Sequence, residues 1–343
     1  MNNDASWREM LDEFRVLGGT AENICMREGP RGRGLFALDP SRPAVLLAPE
    51  NLLLPAEEAQ FRDGAFFVAP ESRMAAREKA WLERYENEFS WGHGGRTEAE
   101  AWLEPIWALP GEIREKLAQQ FGMPYCAGEQ TSAAIQKRFL ESRTIERNGR
   151  KVVMPIIELV NHDSGARAYD LTRGVGVSGT FADEILVSYC ENDAFGLFQN
   201  FGFLSEERIA FSRSLTLNRL NPQIRVVREL MQGQVYSLKG PPDMSVRLPN
   251  ISREEGRIRL SFLMIGNRIS PTLPRSAFHR AFRAAGMQAG DEIFDVIRHM
   301  NVMLFLDLLA SIEKLETPFA VTLRTMCRFQ LEAISHCFGT REI

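Results

Sequence analysis

Glu158-Leu159-Val160-Asn161-His162-Asp163 and, further on, Ile185-Leu186-Val187-Ser188-Tyr189 decide how the chain reads. The apolar run Met154 to Val160 stops abruptly at an Asn-His pair. Gly174 to Phe181 is β-like, Ala182-Asp183 reads as a turn, and Ile185 to Tyr189 alternates apolar positions as a second strand does. This pattern predicts that Asn161, His162 and Tyr189 all stand at strand ends, where side chains from separate strands can converge on one pocket.

Upstream, Ala21 to Ala37 reads as strand, turn and strand. The turn, Gly29-Pro30-Arg31-Gly32-Arg33-Gly34, is rich in glycine, which lets backbone approach a ligand with no Cβ in the way. It is not a phosphate-binding loop, because Leu35-Phe36-Ala37 follows where a helix would have to start. Val45 to Leu54, broken by prolines, reads as a short strand region. Asn148-Gly149 is a hairpin turn, since both residues tolerate positive φ.

Helical spacing appears elsewhere. Trp7, Met10, Leu11, Phe14 and Leu17 share one face over residues 4 to 17. From about Pro70 four helices follow in succession, the last near Thr131 to Ile145, forming a bundle between two β regions. The basic run Lys137, Arg138, Arg143, Arg147, Arg150 and Lys151 reads as a solvated face or a docking surface for an acidic partner. After Phe203 the expectation is a helix from Asn221-Pro222 through Met231, a strand around Ile258, Leu260, Phe262 and Met264, and two long helices near Glu292 to Leu315 and Pro318 to Phe338.

A chain of 343 residues with 44% hydrophobic content is long enough for two domains or for one core with a large insertion. A net charge of −4 argues against a general nucleic-acid or anionic-membrane binder. Cys25, Cys126, Cys190, Cys327 and Cys337 lie far apart with no Cys-x-x-Cys, so no metal site is expected. The polar, amphipathic start does not read as a signal peptide. Val302 to Leu309 is apolar, but Arg298, His299 and Asp307 interrupt the window, so it reads as a buried helix rather than a membrane span. A cytoplasmic location is the expectation.

Taken in order, Arg31-Gly32-Arg33-Gly34-Leu35-Phe36-Ala37, Asn161-His162, Asp183-Glu184-Ile185 running into Tyr189, and Gly202-Phe203 resemble the SET-domain protein methyltransferases. The helical segment inside the core and the helical C-terminal part are similar to the branch typified by the plant Rubisco large-subunit methyltransferase. The resemblance implies an α+β fold: a SET-type core of short strands and small sheets with a helical insertion, plus a mostly α C-terminal domain. Its divisions would be residues 1–68 and 147–215 for the core, 69–146 for the insertion, and 216–343 for a domain that docks substrate.

By the same resemblance the cofactor is S-adenosylmethionine. The backbone of Arg31 and Arg33 would hold its methionine part, Asn161 and His162 its adenine, and Phe203 would complete the site. Tyr189 would be catalytic and Phe201 would line the substrate channel. The implied partner is a protein substrate, with lysine the expected acceptor and histidine the alternative; no metal, nucleic acid or membrane is implied. For His162 a second reading is a strand-end histidine bonded to nearby backbone. Two departures stand out. Many SET enzymes have Tyr-Gly-Phe where this chain has Phe201-Gly202-Phe203, and Cys190-Glu191-Asn192-Asp193-Ala194 differs from the family's usual Gly-x-x-Ser-Asn. They keep open a catalytically weak or inactive SET-like protein that acts as a binding module.

Overall fold

The computed structural model describes residues 3–127, 131–189, 192–218, 222–228, 235–238, 244–254 and 256–335. The architecture is α+β, with small sheets of two to four strands. Its helices are α1 (Asn3–Val16), α2 (Ala76–Phe89), α3 (Arg96–Trp107), α4 (Gly111–Phe121), α5 (Ser132–Arg143), α6 (Ala194–Phe201), α7 (Leu273–Ala284), α8 (Asp291–Ile312) and α9 (Pro318–Ser335). Two compact units divide the chain: Met1–Trp102 with Thr131–Cys190, and Leu103–Gln130 with Glu191–Ile343. Thus α2 and α5 belong to the first unit and α4 to the second.

In the first unit, α1 buries Trp7, Met10, Leu11 and Phe14, the face its spacing predicts. Phe14 stacks on Trp81 of α2 at 5.4 Å, and Trp81 Nε1 donates to the Met10 carbonyl at 3.2 Å. Each such large side chain contributes about 1.5–3 kcal/mol on burial. Ala44–Pro49 is the central strand of three, flanked antiparallel by Thr20–Glu22 and Gly174–Gly179. Ile24–Gly29 and Gly32–Ala37 form the predicted hairpin, closed by Pro30-Arg31. Thr144–Arg147 and Arg150–Val153 form a second hairpin through Asn148-Gly149, with φ of 52° and 77°, as the two-residue turn requires. A third hairpin, Ala59–Arg62 with Ala65–Val68, turns at Asp63-Gly64 and was not expected from the sequence.

The second unit carries a four-stranded sheet in the order Leu215–Leu217, Gln223–Val227, Arg257–Ser261, Asn250–Glu254, and a pair, Ile209–Phe211 with Met264–Asn267. Helices α8 and α9 stand close to the predicted long helices; the expected end at Phe338 lies outside the described residues. Met264, Phe211 and Phe262 share a core with Leu273, Ala277 and Ala281 of α7.

Three expectations need correction. Gln223–Val227 is a strand, not a helix begun at Asn221-Pro222; it buries alternate Ile224 and Val226 and pairs parallel with Arg257–Ser261. The remainder of that predicted helix, through Met231, lies outside the described residues. The apolar run before Asn161 is not a strand either. Ile156 sits at φ 67°, and Ile157–Leu159 forms a single 3-10 turn. Finally, the basic run is not a solvated face throughout: Arg138 is buried over the Trp102 ring, and the largely covered Arg147 pairs with Glu50, whereas Arg150 stays exposed beside Glu57.

Candidate functional site

Asn161–His162 pairs in parallel with Leu186–Val187, matching Asn161 to Leu186 and His162 to Val187. The pairing continues as Asp163 N donates to the Val187 carbonyl at 2.9 Å. Just upstream, Glu184 bridges antiparallel to Phe36 of the first hairpin, and Ile185 N donates to the Leu35 carbonyl at 2.8 Å. Segments more than a hundred residues apart in sequence are thereby fixed side by side.

Polar side chains fill the join. Asn161 Nδ2 donates to Glu184 Oε1 at 2.8 Å and to the Arg33 carbonyl at 3.2 Å. Glu184, only 9% exposed, takes Arg31 Nη1 on its other oxygen at 3.0 Å. Arg31 also reaches Asp163 at 3.3 Å. A buried carboxylate needs such partners, because desolvation penalises its charge. The Arg33 side chain turns away, donating to the Phe89 and His93 carbonyls at 2.7 and 3.2 Å. Gly34 makes the join possible: a Cβ there would lie 2.7 Å from Asn161 Nδ2 and 2.9 Å from Glu184 Oε1. A groove of about 1030 Å³ runs alongside, bordered by Arg31, Asp163, Arg167, Asp170, Asp183 and Glu184.

Tyr189 follows the second short strand. Its backbone N–H donates to His162 Nδ1 at 3.0 Å, and its hydroxyl donates to the Val160 carbonyl at 2.7 Å. An accepting Nδ1 is unprotonated, so any ring proton of a neutral His162 is on Nε2. This backbone bond engages one ring nitrogen of His162, at the end of its short strand. The Tyr189 ring lies 5.1 Å from His162 and stacks on Tyr169 at 6.3 Å. Burial, opposed by Arg143 and reinforced by Glu158 and Glu184, pushes the Tyr189 hydroxyl well above its ordinary pKa, so it stays a neutral phenol.

Beneath Tyr189 lies a cluster that the sequence reading gave no role. Glu158 accepts from Tyr85 Oη of α2 at 2.8 Å and contacts Arg143 Nε of α5 at 3.2 Å, an ion pair whose angle misses a hydrogen bond. Arg143 also pairs with Glu98 at 2.8 Å. Glu86 is fully buried, and neither of its oxygens makes a hydrogen bond of proper geometry. Burial first, then the nearby Glu158, pushes its carboxyl well above the usual range. The available signal was Glu158 itself, a lone charge inside an apolar run, which has to find partners.

Of the residues singled out from sequence, Arg31, Arg33, Asn161, His162 and Tyr189 meet in the first unit. Phe201 and Phe203 lie in the second, Phe201 ending α6, with ring centroids 6.1 Å apart. Cys190 and Glu191 lie outside the described residues. Among the described residues no group of three or more His, Cys, Asp or Glu is placed to hold a metal ion, and no helix is long and apolar enough to cross a membrane.

No family model matches the chain, and no curated protein does. Solved structures do resemble it. One is the SET domain of LSMT bound to lysine and AdoHcy, with TM-score 0.43 and 15% identity, covering 98% of this chain and 90% of that one. Another is Rubisco LSMT bound to AdoMet, with TM-score 0.42 and 13% identity, covering 98% and 91%. A third, Rubisco LSMT bound to sinefungin and monomethyllysine, has TM-score 0.37 and 18% identity and covers 63% and 60%. At these scores the likenesses do not decide the chemistry, which rests on the residues above.

Proposed function

We propose that this chain is a SET-type protein methyltransferase that uses S-adenosylmethionine, with a lysine amine as the expected acceptor. One observation carries the reading: the Tyr189 hydroxyl is bound to the Val160 carbonyl at 2.7 Å, beside the Asn161–His162 strand. With its hydrogen committed, the oxygen can only accept from any further group.

The residues present suit the cofactor. Gly32 is exposed, and a Cβ there would meet nothing within 4 Å, so the hairpin backbone is open to a ligand. Glu184 and Asp163 suit a ligand with a sulfonium and an ammonium, and the Arg31 guanidinium suits its carboxylate. Asn161 and His162 suit the polar edge of an adenine. When bound, the cofactor supplies an electrophilic methyl group on a positively charged sulfur.

Each residue then has a defined task. Asn161, held by Glu184 and the Arg33 carbonyl, orients the ligand at the hairpin. With the cofactor bound, the lone pairs of Tyr189 would accept C–H hydrogen bonds from its methyl group and align an incoming amine. An acceptor lysine, with a pKa of ~10.4 in water, loses its proton on desolvation beside a positive charge, so no strong side-chain base is needed.

The test is calorimetric titration with S-adenosylmethionine, followed by transfer of its tritiated methyl group to peptides. Saturable one-to-one binding, weakened at least fivefold in Asn161→Ala, together with label on lysine, is the expected result. No binding at millimolar cofactor would overturn the reading and leave a SET-like protein that acts as a binding module.

A further inference from the structure

The hydroxyl of Tyr189 is only as well placed as the carbonyl that holds it. Val160 follows the 3-10 turn Ile157–Leu159, and its N–H donates to the Ile157 carbonyl at 3.0 Å. That turn is entered through Ile156 at φ 67°, a conformation a β-branched residue adopts only when its surroundings impose it. Ile156 is fully buried. Backbone bonds alone do not account for the imposition, because Glu158 N and Leu159 N simply continue the turn onto Met154 and Ile156.

What grips the turn from outside is the Glu158 side chain. It reaches the two helices at once, taking the Tyr85 hydroxyl of α2 on one oxygen and Arg143 of α5 on the other. Tyr85 is itself immobilised, with its ring 5.8 Å from Trp81 and 6.4 Å from Phe89 in near-parallel stacks. Both oxygens of Glu158 are buried, so no solvent can replace a lost partner.

We propose that Tyr85 and Arg143, acting through Glu158, are positioning residues that hold the Val160 carbonyl and hence the Tyr189 hydroxyl. They need touch neither cofactor nor acceptor. A side chain set this way places the Tyr189 oxygen within the few tenths of an ångström that a positioned group requires. The kinetic side of this inference rests on the methyl-transfer reading above; the structural side does not.

Tyr85→Phe is the decisive variant, because it removes one oxygen and keeps the stacked ring. Two measurements are made on the full chain. The first is turnover with tritiated S-adenosylmethionine and a random-sequence peptide pool carrying a fixed central lysine. The expected result is a three- to tenfold lower kcat per folded molecule, with KM for the cofactor within twofold of wild type. The second is amide hydrogen exchange. Exchange at Val160 to His162 and Leu186 to Tyr189 rises at least fivefold, while the hairpin Ile24–Ala37 is unchanged. Glu158→Gln, which keeps an acceptor for Tyr85 but loses the charge facing Arg143, lowers kcat and raises exchange in the same segments.

A purely structural role would lower the melting temperature and raise exchange across the whole first unit, leaving kcat per folded molecule untouched; that outcome overturns the inference. If the wild-type chain transfers no label, the methyl-transfer reading fails and exchange alone decides. A local rise still supports the clamp, and its absence refutes it.

Discussion

Gln330 Nε2 of α9 donates to Asp193 Oδ2 at 2.7 Å, across 137 residues of chain. Asp193 is fully buried and caps α6, accepting from Gly196 N at 2.8 Å, while Phe211 N, Arg213 and Arg228 converge on the same carboxylate. Removing one partner of a buried ion pair costs about 3–5 kcal/mol, because the other charge is left uncompensated. Asp193→Ala is therefore expected to lose most of the stability of the second unit, read as a drop in the urea midpoint. A loss below about 1 kcal/mol would show that Arg213 and Arg228 find other acceptors.

Tyr189→Phe should bind S-adenosylmethionine as wild type does and transfer methyl about tenfold more slowly. The two lone pairs of the hydroxyl accept at most two C–H hydrogen bonds, and two at about 0.5–1 kcal/mol each amount to that factor. Because burial holds the Tyr189 pKa well above its ordinary value, the wild-type rate should rise with pH as the acceptor amine deprotonates, with no downturn from tyrosine ionisation. Unchanged transfer in the variant would remove Tyr189 from the mechanism.

Asn161→Ala breaks the bonds to Glu184 and the Arg33 carbonyl. Losing partners at this half-buried join costs about 1–3 kcal/mol, or roughly five- to 150-fold in cofactor Kd. Gly34→Ala should weaken binding similarly with the fold intact, since its methyl group would push on both Asn161 and Glu184. Equal affinity in wild type and both variants, by calorimetry, would place the cofactor elsewhere.

Glu86 gives a pH signature. Its carboxyl pKa is raised in the folded chain by burial and by the proximity of Glu158. Folding therefore favours the protonated form; the contribution is fully present below the ordinary carboxylate pKa of about 4.5 and is lost as pH rises through the folded value. Glu86→Gln removes that dependence, so its melting temperature should exceed the wild-type value at pH 8 and converge on it near pH 4. The reverse order would mean that Glu86 is ionised and paired in the native state.

The parts legible in the sequence were those with local chemistry. Asn148-Gly149 announced its hairpin because few other pairs accept two positive φ values. Trp7, Met10, Leu11 and Phe14 announced α1 by period alone, and the order of Asn161, His162 and Tyr189 was enough to expect them together. Non-local causes left no such mark. Gln223–Val227 looked like a helix because Asn-Pro precedes it, whereas its parallel partner, Arg257–Ser261, settles the matter. Arg138 and Arg143 looked solvated because burial of a cation depends on what faces it, here Trp102 and Glu158. Nor does composition reveal that Ile156 takes a positive φ, at the start of a turn whose Glu158 is tied to two helices.

The ion pair between Arg31 and Glu184 spans 153 residues. On a ribosome, the hairpin bearing Arg31 therefore waits roughly eight to thirty seconds for its carboxylate to be synthesised. Until then Asn161 has no acid to grip, and the cleft beside Gly34 has only one wall. Closing so long a loop also costs entropy that local contacts cannot offset, so the cleft is expected among the last parts to form. A nascent or truncated chain ending before Glu184 is thus not a smaller edition of this protein. Ligand binding can report that the chain has been made past Glu184 and that this cleft has closed.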